Sequence, residues 1–315
     1  MSDLLPPTRR IPLPGRAPED VVVDREGWLA CGVEDGRLLR VHPETNEVRV
    51  LAHTGGRPLG LEALPDGRIL VCDSPRGLLR VDPATGEIEA LVEAFQGRRL
   101  PFCSNVVAAR DGAFYFSTSS ARYTVDRWRH DMIENIPTGS LFRRGESGAL
   151  ELLLDGLNFA NGLALSPDES SIIVAESGAL RLRRLWLAGP QAGRSEVFCD
   201  LPGYPDNLST NGDGLIWVAM AAAPNPALEL ARKLPIALRR IAARIPAALQ
   251  PDPKRIAWVL AVDQSGRVAQ SYRWDDGRYA MATGVCQAKG TVYLGSLSED
   301  AILAFDLPTG GFALA

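Results

Sequence analysis

The chain has 315 residues, 46% of them hydrophobic, and a net charge of -4 with a pI near 5.6. That is enough apolar material for a large core, and the acidic balance argues against nucleic acid as a partner. No apolar run reaches bilayer-spanning length. The five cysteines (31, 72, 103, 199 and 286) are odd in number with no C-x-x-C spacing, and "MSDLLPPTRRIPLPG" lacks a secretory apolar core. Reduced, mostly buried thiols in a cytoplasmic protein are therefore expected.

In chain order, "TRRIPLP" comes first, and then a hairpin recurs six times: "VVVDREGWLACG", "LEALPDGRILVCD", "VVAARDGAFYFST", "LALSPDESSIIVAE", "LSTNGDGLIWVAM" and "VCQAKGTVYLGS". Each joins two apolar strands through a tight turn, centred on Gly27, Gly67, Gly112, Glu169, Gly214 and Gly290. A second strand pair follows each one, from "GRLLRVHPETNEVRVL" to "AILAFDLPTGGFALA". Six sets of four strands make an all-β, six-bladed β-propeller, and the repeat leaves no stretch for a second core, so residues 1–315 are read as one domain. "TRRIPLP" is expected to close the ring as the outer strand of the last blade. Aromatics on the second strands, such as Phe114, Tyr115, Trp217 and Tyr293, are expected to pack between blades.

In a propeller the first strand of every blade lines the central channel, so residues equally far ahead of the hairpin turn meet around the axis. Counting back seven or eight places gives Glu19, Asn105, Asn161 and Asp206 with Asn207 in blades one, three, four and five. Blades two and six contribute Leu59 with Gly60, and Thr283. Two carboxylates and three amides converging without His or Cys suit a hard divalent cation, Ca²⁺ foremost, rather than zinc. Taken singly, each of these residues also reads as a loop cap.

At these residues the sequence resembles the strictosidine-synthase-like proteins and, more widely, the gluconolactonase, squid phosphotriesterase and paraoxonase/arylesterase propellers. "GRAPEDVVVD", "NVVAARDGAFYFSTSSARY", "FANGLALSPDESSIIVAES" and "GYPDNLSTNGDGLIWVA" carry the resemblance. It implies a catalytic calcium in the central channel, with Glu19, Asn105, Asn161 and Asp206 matching its ligands and Asn207 the extra amide of the arylesterase branch. It further implies hydrolysis of a lactone, ester or phosphotriester, with Asp206 as base or nucleophile. Three positions depart from the families' patterns. Val106 replaces a second acid, Leu59 stands where arylesterases have His, and Thr283 stands where the alkaloid-forming synthase has its Glu. The alternatives are a propeller that the ion merely staples while its surface binds a partner, and, further off, a condensing synthase.

Two insertions interrupt the repeat. One, "SSARYTVDRWRHDMIENIPTG", offers His130 as a proton shuttle if it folds over the mouth. The other, from Ala221 to about Arg255, is helical, with Leu230, Leu234, Leu238, Ile241, Ile245 and Leu249 in one stripe and Arg232, Lys233, Arg239, Arg240 and Arg244 beside it. Pro235 and Pro246 interrupt it. It reads as a lid beside the site, a dimer contact or a membrane-surface helix. A small-molecule substrate is the expected partner.

Overall fold

The computed structural model describes residues 5–246, 250 and 253–308. Twenty-four strands form six four-stranded antiparallel sheets arranged as the blades of a propeller, and a short hairpin, Ala94–Phe95 with Arg98–Arg99, joins blades two and three. The inner strands, in blade order, are Val21–Val23, Arg57–Ala63, Phe102–Ala108, Ala160–Leu165, Tyr204–Ser209 and Ala282–Ala288. Thr8–Pro12 pairs antiparallel with Ala301–Asp306, so the N-terminal strand completes blade six as expected and ties the two ends of the propeller together.

Burial follows position in the blade. The second strands lie between the faces of neighbouring sheets and are almost wholly buried, as in Ile69–Ser74, Phe114–Ser120 and Ser171–Glu176. This is why they read as continuous apolar runs rather than alternating ones. Outer strands such as Val48–His53 expose much of their length. Clusters of buried side chains bridge adjacent blades: Trp217 of blade five packs with Val285, Leu294 and Phe305 of blade six. All six hairpin turns place the expected residue at positive φ, from 79° to 92° for the five glycines and 57° for Glu169. Glycine accepts that conformation freely, whereas Glu169 carries the cost of a side chain in it. Cys31, Cys72 and Cys103 are buried, Cys199 and Cys286 half-buried, and all five are free thiols.

Both insertions join the second and third strands of their blades. In blade three the connection carries helix α1, Trp128–Glu134; in blade five it carries α2, Pro226–Arg232, and α3, Ile236–Ala243. Asn225 caps α2 by accepting from the Ala227 and Leu228 N–H groups, and Pro226 opens it. Pro235 splits what the sequence reads as one helical stretch into two. No helix among the described residues is long and apolar enough to cross a membrane.

Candidate active site

Five of the six inner strands carry the same irregularity at the same level. In blades two to six the pairs Leu59–Gly60, Ser104–Asn105, Asn161–Gly162, Asp206–Asn207 and Thr283–Gly284 each stand opposite a single residue of the second strand, and the ladder resumes beyond them. These are β-bulges, which bend a strand and re-aim its side chains. In blade one Glu19 and Asp20 occupy the equivalent place just ahead of the strand, with the Glu19 N–H bonded to the Gly32 carbonyl at 3.3 Å.

Each pair gives one residue to each of two rungs. The first rung is Glu19, Leu59, Ser104, Asn161, Asp206 and Thr283, and all six line one cavity of about 300 Å³ at one mouth of the channel. The second rung is Asp20, Gly60, Asn105, Gly162, Asn207 and Gly284, in which polar residues alternate with glycine. Asp20 and Asn105 from this rung line a separate cavity on the opposite side. The sequence count therefore holds for Glu19, Asn161 and Asp206 but mixes rungs for Asn105 and Asn207, which sit one residue deeper; Ser104 takes the first-rung place in blade three.

Hydrogen bonds tie Glu19, Asn207 and Asn105 into one buried group and Ser104 and Asn161 into another, and Asn161 also reaches Asp206. The Asn207 amide donates to both Glu19 carboxylate oxygens at 3.2 and 3.3 Å, and Asn105 Nδ2 donates to Asn207 Oδ1 at 3.1 Å. Asn105 Oδ1 accepts the Leu163 N–H at 3.0 Å. Ser104 donates to Asn161 Oδ1 at 2.9 Å, and Asn161 Nδ2 to Ser177 at 3.4 Å. Thr283 donates to the Glu19 carbonyl at 2.6 Å, a structural role that leaves no acid at this rung of blade six. In this arrangement the amide oxygens of Asn105, Asn207 and Asn161 are all engaged within the protein, and the candidate ligands that line the cavity are Glu19, Asn161 and Asp206.

The charges are held under strain. Burial, then the Asp206 and Asp20 carboxylates, push the Glu19 carboxyl well above its ordinary range, while Arg57 and Asn207 oppose the rise. Asp206 is pushed up likewise by burial and by Asp20, and Asn161 opposes. Asp206 Oδ1 is buried without a hydrogen-bond partner, although the residue as a whole is half-buried and reaches the cavity. Two like charges and an orphaned carboxylate oxygen, with a neutral amide beside them, leave a deficit that a hard cation would satisfy. No three of His, Cys, Asp and Glu cluster as ligands among the described residues, so a cation here would depend on amide oxygen as well as on the two carboxylates.

Asp20 escaped the sequence count. Its carboxylate accepts the Val21 and Leu61 N–H groups at 2.9 and 3.0 Å, yet burial dominates and lifts it from 3.8 to about 7. Because the folded state holds this proton more tightly than the unfolded chain does, the associated stability is full below about pH 4 and is lost as pH rises through about 7. Chelator-treated protein is thus expected to melt progressively lower from pH 4 to pH 7, and Asp20→Asn to flatten that slope; thermal melts across the range check it.

The cavity is roofed by both insertions. Trp128 and Met132 of α1, Leu228 and Ala231 of α2 and Ala242 of α3 line it, together with Phe102, Phe159 and Tyr204. Phe102 and Phe159 meet edge to face with centroids 5.4 Å apart. The Tyr204 hydroxyl donates to Glu229 of α2 at 2.6 Å. Arg232 crosses to α1, donating to the Met132 carbonyl at 3.0 Å, and to blade four through the Gly178 carbonyl at 3.2 Å. The insertion therefore covers the cavity, and it does so without its leucine stripe. The leucine stripe does not pack on the propeller; alanines, Leu228 and the two arginines Arg232 and Arg239 do that work, while Leu230, Leu234, Leu238, Ile241 and Ile245 are exposed. Leu249 lies outside the described residues. His130 sits on α1 beside Tyr123, with ring centroids 5.9 Å apart, and is absent from the cavity lining. The proton-shuttle expectation for it finds no geometric support.

The six-bladed propeller fold is one that known proteins share. Residues 18–225 match the SMP-30/Gluconolactonase/LRE-like region, and the chain belongs to that family. It is 32% identical over 298 residues to Protein STRICTOSIDINE SYNTHASE-LIKE 6 of Arabidopsis thaliana, covering 92% of this chain and 79% of that one. Among solved structures it is similar in fold to a gluconolactonase from Xanthomonas campestris (TM-score 0.69, 18% identity, 96% of this chain and 89% of that one). It is also similar to the calcium-binding protein regucalcin from Agrobacterium tumefaciens (TM-score 0.64, 16% identity, 94% of each).

Proposed function

We propose that the protein is a divalent-cation-dependent hydrolase of apolar lactones or esters, with Ca²⁺ as the expected ion. The observation that carries this reading is the half-buried Asp206 carboxylate, its Oδ1 unpartnered, at the floor of a roofed apolar chamber. A cation that only stapled the inner strands would need no such chamber. The family membership and the fold shared with a gluconolactonase and with calcium-binding regucalcin point the same way.

Glu19, Asn161 and Asp206 would hold the ion, which supplies a positive charge to polarise the scissile carbonyl and to stabilise the charge that develops on its oxygen. Asn207 and Asn105 fix the Glu19 carboxylate, and Thr283 fixes its backbone. The Asp206 carboxylate oxygen not committed to the ion would accept the proton of the attacking water. Phe102, Phe159, Trp128, Met132 and Leu228 receive the acyl chain or ring, and α1 and α2 exclude bulk water while the substrate is in place.

Because Glu19 and Asp206 both hold protons above the ordinary carboxylate range, the cation must displace them. Its affinity is expected to climb with pH until both groups are ionised, so added Ca²⁺ should raise the melting temperature more at pH 8 than at pH 5. An equal shift at both values would contradict the assignment. Substrate preference tests the chamber: alkyl-substituted lactones should be turned over faster than sugar lactones of the same ring size. The reverse preference would mean that the apolar wall does not contact substrate.

A further inference from the structure

We propose that the outer face of the α2–α3 lid docks on an anionic lipid surface. Four of the ten large apolar side chains exposed among the described residues fall on the outer side of this lid, within twelve residues: Leu230, Leu234, Leu238 and Ile241, each 40–65% exposed; Ile245, also exposed, lines the chamber instead. The others, such as Val50, Leu152, Val197 and Val268, stand singly on the outer strands of separate blades. Isolated exposed apolar residues are ordinary, but a row of four on one short segment is a surface that water disfavours.

Charge selects what covers it. Residues 226–246 hold five cations and one acid, a net charge of +4 in a chain whose total is -4, so the remainder carries -8. Glu229 is turned inward onto Tyr204 and Arg232, and Arg232 and Arg239 are spent on carbonyls of Met132, Gly178 and Glu134. Lys233, Arg240 and Arg244 are left exposed beside the aliphatic row. A short helix pair with aliphatic side chains outward and cations along them matches the interface of a bilayer that bears negative headgroups. A second copy of this chain fits poorly, because a two-fold contact would set the three cations of one lid against those of the other.

The test is co-sedimentation of the full chain with vesicles of phosphatidylcholine alone or mixed with phosphatidylserine. Binding is expected to the mixed vesicles, to be weaker on phosphatidylcholine, and to fall with added salt. Leu238→Asp with Ile241→Asp should weaken it by at least about tenfold. Lys233→Glu with Arg240→Glu and Arg244→Glu should abolish the preference for phosphatidylserine while leaving the melting temperature near that of the parent. Val197→Asp, at an equally exposed apolar site on blade four, should bind as the parent does. The proposal is overturned if the parent ignores mixed vesicles or if both lid variants bind them undiminished. It is equally overturned if sedimentation velocity shows a dimer that Leu238→Asp with Ile241→Asp disperses, which would make the face a self-contact.

Discussion

Asp206→Asn is expected to lower ester or lactone hydrolysis by roughly two to four orders of magnitude, the range typical for loss of a positioned general base. The same change should make the metal-free protein no less stable. It removes a carboxylate that burial and Asp20 hold above its ordinary range and that in turn lifts the Glu19 carboxyl. A group raised in this way withdraws stability as pH climbs past the unfolded carboxylate range, so the variant should melt higher than the parent at pH 7 in chelator and similarly at pH 4. Calcium should no longer produce its full rise in melting temperature. The combination of lost turnover, lost calcium response and retained or improved apo stability separates a functional carboxylate from a structural one. Rate assays and melts with and without chelator check all three.

Gly162→Ala should be the most damaging one-carbon change near the site. A Cβ there would lie 2.2 Å from the Leu208 nitrogen and 2.6 Å from Asn207 Cα, and these are backbone atoms with no freedom to swing away. Gly60 and Gly284 are somewhat less tight, at 2.5 Å from Asn105 Cα and 2.6 Å from Asp20 Cα. The alternation on the second rung therefore has a steric cause: each glycine of an even blade makes room for the polar residue of the next odd blade. Asp20 and Asn105 also reach the other way, accepting the Leu61 and Leu163 N–H groups that follow Gly60 and Gly162. Overpacking costs typically about 1–3 kcal/mol, and against rigid backbone the upper end, about 3 kcal/mol, is expected. For a chain this long that is a fall of roughly 5 °C or more in melting temperature. Gly145→Ala is the control: its nearest neighbour would be the flexible Arg143 side chain at 3.5 Å, so its melt should stay close to the parent's.

The blade repeat was legible because glycine turns and fully buried second strands leave strong local marks, and even Glu169 could be placed by its turn despite lacking the glycine. The ring of site residues was legible only to within one position. A bulge puts two residues where a regular strand has one, and a count of seven or eight from the turn cannot tell the rungs apart. Hence the count reaches Asn105 rather than Ser104 and misses Asp20 although it adjoins Glu19. The alternation of Asp20, Gly60, Asn105, Gly162, Asn207 and Gly284 is present in the sequence and would have fixed the register. The apolar wall was hidden for a different reason. Phe102, Phe159 and Tyr204 flank the bulges, whereas Trp128, Met132 and Leu228 arrive on insertions whose course depends on tertiary contacts such as those of Arg232. Periodicity alone leaves the lid's contacts open, since a leucine stripe marks the face that avoids water without saying what supplies the cover.

The most direct test of the metal-dependent hydrolase is turnover of alkyl lactones and aryl esters by the purified chain, measured as prepared, after chelation, and after Ca²⁺ is restored. The account predicts activity that chelator abolishes, that Ca²⁺ restores in the parent, and that Ca²⁺ fails to restore in Asp206→Asn. Turnover that persists unchanged through chelation, or a parent inert toward the whole panel while Ca²⁺ still raises its melting temperature, would contradict it and leave the ion as a staple of the inner strands.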